Sequence, residues 1–257
     1  MVHIPTEVIV VTRPVVYADA LLDVLSGDPN LAIKGIICST RARQHPTSPI
    51  RNWLGLLRQG GLPYTRYLHQ IETQQLARFG LPAWKTPREW AVKLNLPYLQ
   101  TDDVNRPDVL AFISNCAPEI VLTAHLDQPL GEAILANREF IPVNLHLSLL
   151  PNYRGAEPVF ATMLQGENRM GVSLHRVTEE QNAGPIFGQR ALMRGDRDTL
   201  AHNTLQLTRM GGKLFAAIAT TARPFREARP QPIGMVTNDW PTRDQVKQFL
   251  SNGCQFL

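Results

Sequence analysis

Four short, largely apolar runs, the first of them rich in β-branched residues, constrain this chain more than any other feature. Each has the length of a buried strand, and each is closed by a turn signal. They are residues 7–12 (EVIVVT), 31–39, 119–124 (EIVLTA) and 141–147. Between the first two, Ala18, Leu21, Leu22 and Leu25 keep the i, i+3, i+4, i+7 spacing of one helix face, and Gly27-Asp28-Pro29 ends it. Strand, helix, strand in this order predicts a parallel pair joined by a right-handed crossover. The turn after the first run, Arg13-Pro14, lacks the Gly-x-Gly-x-x-Gly that cradles a pyrophosphate, which argues against a nicotinamide or flavin dinucleotide site.

Further elements follow from local signals. Thr86-Pro87-Arg88-Glu89 offers a cap, a first-turn proline and a glutamate at the third position, so it should open a helix through Trp90 and Leu94. A strand is expected at 96–100, and a helix at 107–114 with Val109, Leu110 and Ile113 facing inward. Residues 41–81 say least. Pro46 to Pro49 reads as loop, and Trp53, Leu54 and Leu57, then Tyr64, Tyr67, Leu68 and Ile71 after Gly60-Gly61, predict two short helices with apolar faces. This segment is expected to be an insertion packed on the domain, or else an acceptor-site lid or a docking surface for a partner. Toward the end, residues 195–199 read as a turn and helix start. Leu205, Leu207, Met210, Leu214 and Ile218 mark a covering helix, residues 223–232 a proline-rich extended tail, and Thr242-Arg243-Asp244-Gln245 a second capping box.

The 257 residues suffice for one α/β domain with an appendage, and 44% hydrophobic with 19% charged content is ordinary for a folded globular chain. No apolar run is long enough to span a bilayer, and no signal peptide is visible, so no membrane partner is expected. Cys38, Cys116 and Cys254 are scattered, which points to a reducing, cytoplasmic setting and away from disulfides or a zinc site. The net charge of +4 suits an anionic ligand, but the basic residues are dispersed and give no nucleic-acid footprint.

The chemistry concentrates where the fourth run ends. Alternation in a strand puts Asn144, His146 and Ser148 on one face, with Val143, Leu145 and Leu147 on the other. An amide and an imidazole two positions apart form a polar platform, which is either a catalytic face or a polar pair satisfied inside the fold. Beside it, at the carboxyl end of 119–124, His125-Leu126-Asp127-Gln128-Pro129 forms a loop where open α/β sheets bind ligands.

Asn144-Leu-His146-Leu-Ser148-Leu-Leu-Pro151, followed by Tyr153-Arg154-Gly155, Pro158, Gly166, Gly171-Val172 and Gly184-Pro185-Ile186, resembles the folate-dependent formyltransferase family. That family includes enzymes acting on glycinamide ribonucleotide, methionyl-tRNA and amino sugars. The resemblance implies an α/β, Rossmann-like doubly wound, mostly parallel sheet of the formyltransferase type, with a short C-terminal appendage. It places the catalytic domain at residues 1–221 and a C-terminal extension at 222–257, and leaves room for a homodimer. It implies transfer from 10-formyltetrahydrofolate, with tetrahydrofolate as product, to the amine of a small-molecule acceptor such as an amino sugar nucleotide or a specialised metabolite. A tRNA acceptor is not expected, because only about 35 residues follow Thr221, too few for an independent core.

By the same resemblance Asn144 would stabilise the oxyanion and His146 handle the proton. The folate would lie near Leu122, Thr123, His125, Leu126, Asp127 and Gln128, and near the backbone of Thr178, Glu179, Glu180 and Gln181. Ser148, Tyr153, Arg154 and Gly155 would shape the acceptor loop, with Arg154 either ordering that loop or meeting an anion. No metal is implied, and His175 and His202 read as structural. One departure stands out: the family's loop aspartate is Asn182 here. An amide cannot act as a carboxylate base. Asn182 is therefore an engineered trap, a natural variant of altered mechanism, or the mark of a folate-binding protein without turnover, and hydrolysis of the same folate is the nearest alternative reaction. A positioned acid–base group is worth about 10²–10⁴ in rate, and Asn182→Asp is expected to restore a gain of that order through a charged His146.

Overall fold

The computed structural model describes residues 4–41, 49–73, 83–195, 199–221, 225–232 and 237–257. The loop expected at Pro46 and the residues 196–198, 223 and 224 lie outside these. In chain order the elements are β1 (Thr6–Thr12), α1 (Val16–Ser26), β2 (Leu31–Ser39), α2 (Pro49–Glu72), α3 (Pro87–Leu94), β3 (Tyr98–Thr101), α4 (Pro107–Cys116), β4 (Ile120–Ala124), α5 (Glu132–Leu135) and β5 (Ile141–His146). They continue with β6 (Arg154–Gly155), α6 (Pro158–Leu164), β7 (Arg169–Arg176), β8 (Ile186–Met193), α7 (Leu200–Ala219), β9 (Thr237–Asn238) and α8 (Arg243–Ser251).

One sheet organises the domain in the order β3-β2-β1-β4-β5-β7-β8. The first five strands are parallel, and β7 and β8 return antiparallel. Alternation decides the packing on its two faces. Val8, Val10, Leu122, Val143, Leu145, Val172 and Leu174 turn to one side with the apolar faces of α1 and α7, whereas Ile9, Val11, Ile37 and Val121 turn to the other with Val109, Ile113 and Ile134 of α4 and α5. The doubly wound, mostly parallel sheet expected from the sequence is the one observed.

The local signals hold in detail. Thr86 and Thr242 each form a complete capping box, with Glu89 and Gln245 reaching back. α2 is broken at Gly61 (φ 75°), giving the two expected helical halves. The second half is core: Tyr64, Tyr67, Leu68 and Ile71 are buried, while in the first half Trp53 and Leu54 stand 49% and 40% exposed, so the apolar face expected there is only partly covered. β3 starts two residues later than expected, because Asn95 takes a left-handed turn (φ 52°) and Pro97 has no N–H to give the ladder. After a turn at Phe225 (φ 54°), residues 227–232 run along the sheet edge, where Arg229 exchanges backbone hydrogen bonds with Ile186. Phe249 and Phe256 pack on Phe160, and Phe256 also on Tyr64 and Tyr67.

Candidate functional site

A cavity of about 520 Å³ opens beyond the carboxyl ends of β1 and β4 and beside β5, within the size range of small-ligand pockets. Its apolar walls include Val15, Leu126, Pro129, Leu130 and Val177; its polar lining includes Arg13, Thr123, Asn144, His146, Glu157, His175 and Asn182. Trp240 closes part of the rim.

Register builds the centre. Thr123 of β4 pairs with Asn144 of β5, and Asn144 pairs with His175 of β7. Residues directly opposite share a face, so hydroxyl, amide and imidazole form one row across three strands. Thr123 Oγ1 donates to Asn144 Oδ1 at 2.9 Å, and Asn144 Nδ2 lies 3.0 Å from His175 Nε2. His175 Nδ1 donates to the Arg176 carbonyl at 2.8 Å. The proton on Nδ1 leaves Nε2 of the neutral ring as an acceptor for Asn144. Burial pushes the His175 pKa down to about 3; nearby His146 and Arg154 act in the same direction, and the Arg176 carbonyl partly opposes them.

His146 occupies the same face two residues on. Its Nε2 donates to the Tyr153 carbonyl at 2.8 Å, so Nδ1 carries the lone pair. Burial lowers its pKa to about 4, opposed by that bond and reinforced by Arg154. Asn182, in a left-handed turn (φ 55°), accepts the Gly155 N–H at Oδ1 (2.9 Å) and turns Nδ2 toward His175 Nε2 at 3.5 Å. The resemblance implies this side chain beside His146; the side chain it approaches is instead His175.

Other predicted positions separate. Thr123, His125, Leu126, Asp127, Gln128, Thr178, Glu179 and Gln181 line the cavity. Leu122 does not: alternation turns it into the core beneath α1 and α7. Gln128 spends its amide on the neighbouring loop, taking the Val104 N–H at 3.1 Å and donating to Asp103. His125 packs on Tyr17, and its Nε2 lies 3.1 Å from Thr208 Oγ1; burial and Arg13 lower its pKa to about 4. Ser148 leaves the platform because β5 has ended, and its hydroxyl donates to the Asn152 carbonyl at 2.7 Å. Tyr153 directs its hydroxyl to Glu167, away from the cavity. Arg154 is fully buried and orders its surroundings, reaching Glu180 (3.3 Å), Gln231 (3.1 Å) and the Pro232 carbonyl (2.8 Å). Gly155 (φ 96°) has no room for a side chain, since a Cβ would come within 2.1 Å of the Asn238 carbonyl oxygen.

The sequence reading missed His175, Arg13 and Glu157. His175 carried a signal: Ser173 and His175 interrupt an apolar strand with the same period-two alternation as Asn144 and His146. Arg13, at the end of β1, pairs with Glu72 (2.8 Å) and Asp127 (3.2 Å). Glu157 accepts the Tyr64 hydroxyl at 2.9 Å on the cavity wall. Among the described residues no group of three or more His, Cys, Asp or Glu could hold a metal ion, and no helix is long and apolar enough to cross a membrane.

A doubly wound α/β domain that offers a fixed amide donor beside two uncharged imidazoles is equipped for acyl-group transfer. Residues 72–216 match the family model described as formyl transferase, and the chain belongs to that family, whose formyl donor is 10-formyltetrahydrofolate. It is 37% identical over 161 residues to the methionyl-tRNA formyltransferase of Lactobacillus johnsonii, covering 62% of this chain and 48% of the relative. Against the methionyl-tRNA formyltransferase of Thermotoga sp. (strain RQ2) it is 35% identical over 102 residues, covering 40% and 33%. The chain thus spans less than half the length of these relatives. The fold matches phosphoribosylglycinamide formyltransferase from Bacillus halodurans with TM-score 0.57 and 18% identity, covering 86% of this chain and all of that one. It also matches a sugar N-formyltransferase from Shewanella sp with TM-score 0.54 and 15% identity, covering 91% and 75%.

Proposed function

We propose that this chain is an N-formyltransferase that moves the formyl group of 10-formyltetrahydrofolate to the amine of a small-molecule acceptor. The observation that carries this reading is the Asn144 amide, held by Thr123 at one end and His175 at the other on the cavity wall. One Nδ2 hydrogen goes to His175, and among the described residues the other has no partner, so it is available to an oxygen gaining negative charge. The folate supplies the activated formyl group. The apolar wall at Leu126, Pro129, Leu130 and Val177 suits a flat heterocycle, and the surrounding loops offer backbone groups at its edge. His146 can receive the amine proton at Nδ1, since Nε2 is committed to Tyr153. Glu157 puts a carboxylate on the cavity wall, whereas the Asp127 carboxylate is taken up by Arg13.

In this reading residues 1–221 form the catalytic domain and 222–257 an extension packed on it, and the protein works in the cytoplasm without a nucleic-acid partner. The test is incubation with 10-formyltetrahydrofolate and a panel of amines, including amino sugar nucleotides and methionyl-tRNA, followed by mass spectrometry. Tetrahydrofolate and a formylated small molecule formed together are the expected result. Formylated tRNA would move the acceptor class, formate released without any amine would make the protein a hydrolase, and saturable folate binding without either would make it a binding protein.

A further inference from the structure

We infer that His175 is a positioning residue, whose Nε2 acceptor fixes which end of the Asn144 amide faces the transferred group. This rests on the formyl-transfer reading of the site. An asparagine amide has two ends of similar shape and opposite hydrogen-bonding character, so its partners decide its orientation. Here those partners differ. Thr123 could either donate or accept, because its hydroxyl hydrogen has a second acceptor in the Val143 carbonyl at 3.3 Å. His175 has no such freedom: Nδ1 is committed to the Arg176 carbonyl, so Nε2 of the neutral ring can only accept. A flipped Asn144 would set Oδ1 against that lone pair at 3.0 Å, two acceptors facing each other with no proton between them.

Asn182 fits the same scheme. Its Oδ1 is held by the Gly155 N–H, which turns Nδ2, another donor, toward His175 Nε2. Two amides therefore converge on one neutral imidazole nitrogen. Asn144 at 3.0 Å takes the lone pair, and Asn182 at 3.5 Å adds a second, weaker N–H on the same side, so an amide at 182 suits a neutral His175.

Two variants and two readouts test this. The first readout is ¹⁵N NMR at neutral pH. It should show His175 with its proton on Nδ1, and an exchange-protected side-chain N–H of Asn144. That signal should vanish in His175→Ala and persist in His175→Gln, whose side-chain oxygen can accept from Asn144. The second readout is steady-state formyl transfer. His175→Ala should lower kcat about 10²-fold, the scale of a mis-set oxyanion donor, with KM for the folate unchanged, and His175→Gln should restore kcat to within about tenfold of the parent. A proton on Nε2, an unprotected Asn144 amide, or a His175→Ala protein at full kcat would overturn the inference. Equal losses in both variants, with folding intact by circular dichroism, would also overturn it by making His175 a proton acceptor. If the NMR signature is present while no amine is formylated, the orienting contact stands and the functional reading fails.

Discussion

Thr123 holds the far end of the Asn144 amide through one hydroxyl. Thr123→Val keeps its shape and removes the donor, and a neutral hydrogen bond of this kind is worth about 0.5–1.5 kcal/mol. Formyl transfer should fall about threefold to tenfold in kcat, with folate KM and melting temperature nearly unchanged; a drop in stability without a drop in kcat would mean that the bond serves packing alone. Asn182→Asp is the sharper case. The resemblance by itself favours a gain, but the geometry predicts the reverse. A carboxylate about where Asn182 Nδ2 now lies, 3.5 Å from His175 Nε2, would favour the charged ring and so raise its pKa. The charged ring cannot accept from Asn144. Transfer should therefore fall, most strongly below the raised pKa where the ring is charged, and recover as pH rises above it. A pH–rate profile checks this, and a gain of about 10²–10⁴ would restore the acid–base role for position 182.

Elements differ in how closely they are tied to the site. Thr86→Ala breaks a capping box on α3, remote from the cavity, and should cost about 1 kcal/mol in denaturant unfolding with turnover intact. Gly155→Ala should behave otherwise. Its positive φ and the Asn238 carbonyl beside it leave no place for a methyl group, so β6 must part from β9. A loss of about 1–3 kcal/mol is expected, together with weaker folate binding as Asn182 loses the Gly155 N–H; unchanged binding by calorimetry would separate the two effects. This contrast also explains what could be read from the chain. Caps, turns and buried strands are written within a few residues, so both capping boxes, the break at Gly61 and the Asn144–His146 face were legible. His175 was not placed, because its partner lies 31 residues away and only the antiparallel register of β5 and β7 sets them opposite. Leu122 and Ser148 went astray for a related reason: one is turned into the core by alternation, and the other lies past the end of its strand.

On the scale of the whole molecule, the site is an acid-sensitive centre of the fold. His146 and His175 are 5% and 1% exposed, and burial first of all holds their pKa values at about 4 and about 3. Unfolded, each would titrate near 6.5. Between these limits the unfolded chain binds more protons, so stability rises with pH, is fully present above about 6.5 and is lost as pH falls. Each histidine can contribute a slope of up to about 1.4 kcal/mol per pH unit. Urea midpoints should drop steeply from pH 7 to pH 5, and His175→Gln should flatten that drop; an equal slope in the variant would clear His175 of the effect.

The rim of the cavity has an optical consequence. Of the four tryptophans, Trp84 and Trp90 are buried away from the lining, Trp53 stands on the outer half of α2, and Trp240 forms part of the cavity wall. Indole emission responds to what touches the ring, so a folate seated against Trp240 should change its emission while the other three supply a steadier background. The protein would then report its own occupancy without a label, and Trp240→Phe would make it largely silent to fluorescence while calorimetry still registers the ligand.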